Sequence, residues 1–289
     1  LHEAITRLQA HQIEEARLDA EILLAEACQL TRAQLLAHWD DPLDDEASDK
    51  FSDWLTSRIQ HVPVAYILQR KSFYGLELMV DGRVLIPRPE TELLVEQVLC
   101  WMEKHVHLTP SPSPSRRGEN ALSVIDVGTG SGAIALALAA HVPSSVSITA
   151  TDVSLEALAV ARANAEKHHL SQRIRFVHSD LFRNVNGRAD LIVANLPYVS
   201  NAEWLELARD IADHEPHLAL SGGADGLDVF RKFFAQAPDQ LAPNGAILLE
   251  IGWKQGSTVH ALARSAFPHA RIEVKKDLAG LDRVVIVQT

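Results

Sequence analysis

The chain has 289 residues, 47% apolar and 22% charged, the make-up of a globular protein that can bury one large core and a second, smaller one. Its 38 acidic residues outnumber 27 basic ones for a net charge of −11, which argues against wide, sequence-blind nucleic-acid binding through phosphate-neutralising Lys and Arg. No apolar run approaches the ~20 residues of a membrane span and the N-terminus is amphipathic rather than signal-like, so no membrane partner is expected.

The two cysteines, Cys28 and Cys100, form no CxxC and suit a reducing, cytoplasmic setting. The 14 histidines include no HxxxH or Cys/His cluster, so no metal is assigned.

The first sixty residues read as helices. Leu18, Ile22, Leu23 and Ala25 mark one apolar face, Leu35, Leu36 and Trp39 another, and Phe51, Trp54, Leu55 and Ile59 repeat the helical period. Thr31 followed by Gln34 has the form of a capping box. Through position 80 the chain carries fourteen acidic and seven basic residues, a surface suited to docking a basic partner or simply solvated.

Next, SFYGLELMV and RVLIP flank Asp81-Gly82, a dipeptide favoured in tight turns, which predicts a β-hairpin turning at these two residues. PRPETELLVEQVLCWMEKHV then reads as a helix with Leu94, Val95, Val98, Trp101 and Met102 inward, its start confined by Pro87 and Pro89. HLTPSPSPSRRGEN breaks the pattern: prolines among Ser and Arg cannot form a core and predict a solvated surface insertion.

Beyond it, strand-like runs at SVIDV, SITATD, IRFVHSD, DLIVAN and AILLEIG alternate with helical patterns, which predicts a parallel sheet covered on both faces. ARIEVKKD and RVVIVQ, with only LAGLD between them, predict a closing hairpin and an antiparallel last strand. The expected fold class is α/β: a mostly parallel seven-stranded sheet with helices on both faces, preceded by a small helical domain and a β-hairpin linker.

Within SVIDVGTGSGAIALALAA a buried strand leads through Gly128-Thr129-Gly130-Ser131-Gly132 into a helix, and glycine there lets the backbone approach a ligand. The next strand ends at Asp152, where a carboxylate can accept both hydroxyls of a ribose. A nicotinamide dinucleotide and S-adenosylmethionine both fit this pattern, and glycine-rich turns also arise from packing alone. The third strand ends in Ser179-Asp180-Leu181-Phe182, where an acid beside an apolar residue can bond an adenine amino group and cover its ring, or simply make a turn.

The fourth strand stops on Asn195-Leu196-Pro197-Tyr198. Ligands in such sheets bind outside the carboxyl ends of the strands, so Asn195 lies on the same rim as the glycine loop. There the Asn195 side-chain oxygen and the Leu196 main-chain carbonyl can accept the two hydrogens of a planar amide or exocyclic amine. Pro197 would stiffen the turn and Tyr198 cover the planar group, while the fixed acceptors stabilise charge developing on nitrogen. No side-chain nucleophile or metal is needed.

These features together resemble a class I S-adenosylmethionine-dependent methyltransferase acting on planar nitrogen. LIPRPETELLVE, EPHLALSGGADGLDVFRKF, LLEIGWKQG and the opening RLDAEILLAEA further resemble the HemK/PrmC family. That resemblance implies methylation of the side-chain amide of the glutamine in the Gly-Gly-Gln loop of class I peptide-chain release factors. It also implies roles: Gly128 to Gly132, Asp152, Asp180, Leu181 and Asn195 at the cofactor, and Asn195, Leu196, Pro197 and Tyr198 at the substrate glutamine. Asn195, Pro197 and Tyr198 form the catalytic turn, and the PRPETE run shapes the wall beside the reacting groups. The implied division is a helical substrate-docking domain over 1–70, a hairpin linker over 71–88 and a methyltransferase domain over 89–289 with the insertion at 106–120.

One position departs from the family's Asn-Pro-Pro-Tyr. Leu196 makes the turn similar to ribosomal-RNA adenine dimethyltransferases, so adenine methylation on RNA is the alternative reading. The acidic balance, the PRPETE run and the Asp126-Val127-Gly128 opening of the loop favour glutamine. A nicotinamide-dependent oxidoreductase would need a hydride-handling His, Tyr or Lys near the loop, for which no candidate stands out. A non-catalytic module that kept the cofactor fold would not need the intact Asn195-x-Pro197-Tyr198.

Overall fold

The computed structural model describes residues 1–37, 42–105 and 122–289. Trp39 and the Pro/Ser-rich insertion expected at 106–120 lie outside the described residues. Two compact units divide the chain: Leu1–Arg70 with Leu207–Glu215, and Lys71–Glu206 with Pro216–Thr289.

The smaller unit is helical, with its longer helices at His2–Ala10, Ala16–Ala27 and Asp45–Ile59. Thr31 and Gln34 form the expected reciprocal cap: the Thr31 N–H donates to Gln34 Oε1 at 2.9 Å and the Gln34 N–H to Thr31 Oγ1 at 3.2 Å. Leu8, Leu23, Leu24, Phe51 and Leu55 fill its core. The buried face of Ala16–Ala27 differs in part from the expected one: Leu23 and Ala25 are buried as expected, with Ala16, Ala20, Leu24 and Ala27, while Leu18 and Ile22 are half-buried. A helix with apolar residues on more than one side gives periodicity no single answer.

A charged cluster crosses this unit. Buried Arg58 donates from Nε to Asp19 Oδ2 and from Nη2 to Asp210 Oδ2, both at 2.7 Å, and His61 Nδ1 lies 3.1 Å from Asp210 Oδ1. Burial pushes the Asp19 carboxyl up despite its bond to Arg58. Asp210 thereby ties Leu207–Glu215 to helices more than a hundred residues earlier.

In the larger unit a hairpin pairs β1 (Arg70–Phe73) with β2 (Leu76–Met79). It turns at Tyr74-Gly75, whose φ values of 46° and 77° suit a primed two-residue turn. This corrects the turn expected at Asp81-Gly82. There the Asp81 carboxylate accepts the Arg83 N–H at 3.0 Å, a local side-chain turn that does not reverse the chain. The RVLIP run forms no strand, and Pro87 lacks the N–H that a ladder would need.

The main sheet comprises β3 (Ser123–Val127), β4 (Ser147–Asp152), β5 (Ile174–His178), β6 (Ala189–Asn195), β7 (Leu241–Glu250), β8 (Arg271–Lys276) and β9 (Asp282–Gln288). Their order is β5-β4-β3-β6-β7-β9-β8, with β9 antiparallel to both its neighbours. The last strand is antiparallel, and it inserts between β7 and β8, leaving β8 at the edge. Helices Pro89–His105 and Ala133–His141 cover one face with Val98, Trp101, Leu136 and Leu138. Helices Asp228–Gln240 and Gly256–Ala266 cover the other with Phe230, Phe233 and Val259. With both faces covered, Leu191 to Ala194 is fully buried, as a continuous apolar run requires.

Strand order proceeds outward from β3 through β4 and β5 on one side and through β6 and β7 on the other. The crevice of such a sheet opens at that switch, beyond the carboxyl ends of β3 and β6. Behind it, buried Asn164 of helix Leu155–Lys167 donates to the Met79 and Ser131 carbonyls, both at 2.9 Å, stapling the hairpin to the glycine loop. Among the described residues no helix is long and apolar enough to cross a membrane.

Candidate active site

β3 runs into the glycine loop, and helix Ala133–His141 follows it. Gly128 and Gly130 hold φ values of 75° and 55°, and a Cβ on Gly130 would meet no atom within 4 Å, so backbone is presented to open space. The residues between turn inward. Thr129 Oγ1 donates to Asp126 Oδ2 at 2.6 Å. Complete burial pushes the Asp126 carboxyl up to about 7, against the Thr129 bond. Ser131 is buried, and Gly132 packs where a Cβ would stand 3.2 Å from that of Ala161.

Asp152 ends β4. Its Oδ2 accepts the Gly130 N–H at 2.9 Å and its Oδ1 the Ser154 N–H at 2.8 Å. Burial raises its pKa, opposed by these backbone donors. Each oxygen keeps acceptor capacity for a further donor. After β5, Asp180 is exposed, whereas Leu181 is buried at φ 51°, a conformation costly for a non-glycine residue.

Asn195 ends β6 in register with Glu250 at the end of β7. Asn195 Nδ2 donates to Thr91 Oγ1 at 3.2 Å. Burial lifts the Glu250 carboxyl to about 7, opposed by hydrogen bonds from Thr91 and Asn195. Leu196 is buried with its Cδ2 3.7 Å from where a Cβ on Gly128 would lie, so the turn packs against the glycine loop. Tyr198 is half-buried, and burial, with Glu250 nearby, pushes its hydroxyl up to about 12.

The turn is braced from outside. Gln255 Nε2 donates to the Tyr198 carbonyl at 3.0 Å, and the Val199 N–H to the Leu220 carbonyl at 2.9 Å. A Cβ on Gly226 would stand 2.3 Å from the Tyr198 oxygen, so the SGGADG loop can close on the turn only with glycine there.

A cleft of about 500 Å³ collects these residues, within the range of small-molecule sites. Gly128, Gly130, Asp152, Asp180, Leu181, Asn195, Leu196 and Pro197 line it. Thr129, Ser131, Gly132 and Tyr198 do not; they hold the lining in place. Sequence reasoning missed Gly82 to Leu85, which line the cleft instead of forming a turn and a hairpin strand, and Pro216 to Ala219 with Ser221, which line it too. Of the PRPETE run expected to form a wall no residue lines the cleft, but its Thr91 stands against Asn195, a specific contact that sequence reasoning did not single out, and Glu250 was missed altogether. An acid closing the apolar run AILL was the available signal for Glu250. The arrangement fits S-adenosylmethionine: open glycine backbone, a half-buried carboxylate with acceptors to spare, and the apolar Leu181.

Family profiles match in two places: the PrmC N-terminal domain over residues 1–68 and the methyltransferase small domain over residues 115–224. The chain is 41% identical over 285 residues to the release factor glutamine methyltransferase of Cereibacter sphaeroides, covering 99% of this chain and 95% of that one. It is 39% identical over 269 residues to the protein of the same name from Bacillus subtilis, covering 92% and 89%. Among solved structures, a methyltransferase from Pyrococcus furiosus shares the fold at 17% identity with a TM-score of 0.52, over 75% of this chain and 91% of that one.

Proposed function

The chain belongs to the family of release factor glutamine methyltransferases, and we propose that it methylates the side-chain amide nitrogen (N5) of the glutamine in the Gly-Gly-Gln motif of class I peptide-chain release factors. The observation that carries this reading is the convergence of the glycine loop, Asp152 and Asn195 on one cleft at the switch point of the sheet. S-adenosylmethionine is the cofactor, and when bound it supplies a methyl group on a positively charged sulfur.

The protein's part is positioning and electrostatics. Gly128, Gly130 and Asp152 hold the amino-acid and ribose ends of the cofactor, and Leu181 beside Asp180 takes the adenine. Asn195 Oδ1 accepts one amide hydrogen of the glutamine and the Leu196 carbonyl the other, which turns the nitrogen toward the reacting methyl. The nitrogen would gain a bond to the methyl carbon as that carbon's bond to sulfur breaks, the electron pair staying on the sulfur, which becomes neutral, and the nitrogen would give up one proton to solvent. Preorganised acceptors stabilise the positive charge that develops on it. Pro197 stiffens the turn, and Tyr198 closes its outer side. The acidic helical unit docks the release factor, and the reaction belongs to the cytoplasm, where its substrate works.

The test is incubation of the purified protein with S-adenosylmethionine and a release factor, followed by mass spectrometry of the Gly-Gly-Gln peptide. A gain of one methylene on the glutamine is expected. Methyl incorporation into adenine of RNA, with none into the release factor, would move the assignment to the RNA enzymes that share Asn-Leu-Pro-Tyr. The net charge of −11 disfavours that outcome.

A further inference from the structure

Three polar side chains from three elements meet behind the Asn195 turn. Thr91, 5% exposed, comes from the first turn of helix Pro89–His105, and Glu250, 1% exposed, ends β7. Asn195 ends β6 directly opposite Glu250. Asn195 Nδ2 donates to Thr91 Oγ1 at 3.2 Å, and both side chains stand close enough to the Glu250 carboxyl to oppose the rise of its pKa on burial. Glu250 Oε2 is buried with no hydrogen-bond partner among the described residues. Burying a carboxylate in this way is costly, and none of the roles described above uses it. Arg283 of β9, Arg88 and Glu90 ahead of and in the first turn of the helix, and Tyr198 are the charged or titratable groups that also act on this pocket.

We infer that Thr91 and Glu250 are positioning residues that hold the Asn195 carboxamide with Nδ2 inward and Oδ1 toward the cleft. The reasoning is one of donors and acceptors. An ionised carboxylate only accepts, so the Thr91 hydroxyl gives its hydrogen to Glu250. The Thr91 oxygen then offers only lone pairs to Asn195, which can answer only with its NH₂ group. The opposite flip, which would face a substrate amide donor to donor, is closed. This rests on the role proposed above for Asn195, and it adds what makes that role unambiguous.

Thr91→Val keeps the shape and removes the hydroxyl. Turnover on the release factor should fall about tenfold or more, the cost of a lost buried hydrogen bond, with S-adenosylmethionine affinity unchanged. Thr91→Ser should restore turnover to near the wild-type value, a rescue that packing alone would not give. Glu250→Gln, which can donate as well as accept, should lower kcat and abolish a rise of wild-type kcat with pH as Glu250 ionises. Nitrogen-15 NMR supplies a readout independent of the reaction: the Asn195 side-chain amide protons should exchange slowly in the wild type and faster in Thr91→Val. Wild-type turnover and unchanged amide exchange in Thr91→Val would overturn the inference. If the wild type binds S-adenosylmethionine but does not methylate the release factor, the substrate reading fails instead, and the amide exchange decides the positioning claim alone.

Discussion

Asp152 holds Gly130: the carboxylate that ends β4 accepts the Gly130 N–H at 2.9 Å, so the acidic strand end and the glycine loop after β3 form one rigid lip of the cleft. Two neighbouring parallel strands, β3 and β4, are thereby tied beside the point where the sheet order reverses. The carboxylate serves the loop and, in the role proposed for it, the ligand as well.

Asp152→Ala should therefore weaken S-adenosylmethionine binding about tenfold or more, the scale of a lost hydrogen bond to a charged group. Asp152→Asn keeps one acceptor oxygen and should lose less. Calorimetry on folded variants checks both, and unchanged affinity in Asp152→Ala would detach the residue from the cofactor.

Glu250 gives stability a pH dependence of known sign. Its folded pKa of about 7 stands above its ordinary 4.5, so its contribution to stability is full below the lower value and is lost as pH rises through the upper one. A shift of this size is worth up to about 3 kcal/mol. Glu250→Gln carries no charge to bury, so its melting temperature should gain on the wild type between about pH 5 and about pH 8. A difference that stays flat across that range would contradict the burial of an ionisable group there.

Arg58 is the counter-ion of two acids in the helical unit, and removing it leaves buried Asp19 uncompensated. Breaking a buried pair from one side costs roughly 3–5 kcal/mol, so Arg58→Ala should unfold this unit at much lower denaturant. Hydrogen exchange resolved by segment should show protection lost from Asp45–Ile59 and from Leu207–Glu215 together. Loss confined to the first would mean that Asp210 does not anchor its segment.

Leu196→Pro, which restores the common family residue, should be tolerated, because the role proposed at this position belongs to the main-chain carbonyl. The exchange gives up the apolar contact of Leu196 with the glycine loop and fixes φ near its usual value. Turnover within about threefold of wild type is expected, a change of less than 1 kcal/mol in the barrier. A larger loss would assign the Leu196 side chain a role of its own.

Much of the sheet and the lining of the cleft was legible because both depend on local signals. Apolar runs such as Leu191 to Ala194 report strands buried on both faces, and Gly128, Gly130, Asp152 and Asn195 each sit at a strand end that those runs locate. The hairpin was misplaced because Asp-Gly is the stronger turn dipeptide, whereas Tyr74, a ring at positive φ, gives no such signal. Its consequence was larger than one turn: Gly82 was read as a turn residue and Arg83 to Leu85 as a strand, and together they are a wall of the cleft in the fold. Thr91 and Glu250 were hidden for another reason. Their meaning arises from contact between a helix start and a strand end 159 positions apart, and no local pattern encodes that. Leu207–Glu215 was missed likewise, since it takes Arg58 and His61 to explain why Asp210 belongs with the helical unit.

The most direct measurement is single-turnover transfer of labelled methyl to a release factor by Asn195→Ala, with cofactor affinity determined separately. Asn195 is assigned an acceptor role toward the glutamine amide, so S-adenosylmethionine should bind as in the wild type while transfer falls roughly 10²–10³-fold, as when a preorganised polar contact to developing charge is removed. Asn195→Asp keeps the acceptor oxygen and the size but sets a negative charge near the cationic sulfur, and it too should transfer slowly. Near-normal transfer by Asn195→Ala would contradict the account and leave Asn195-Leu196-Pro197-Tyr198 as a turn that merely ends a strand.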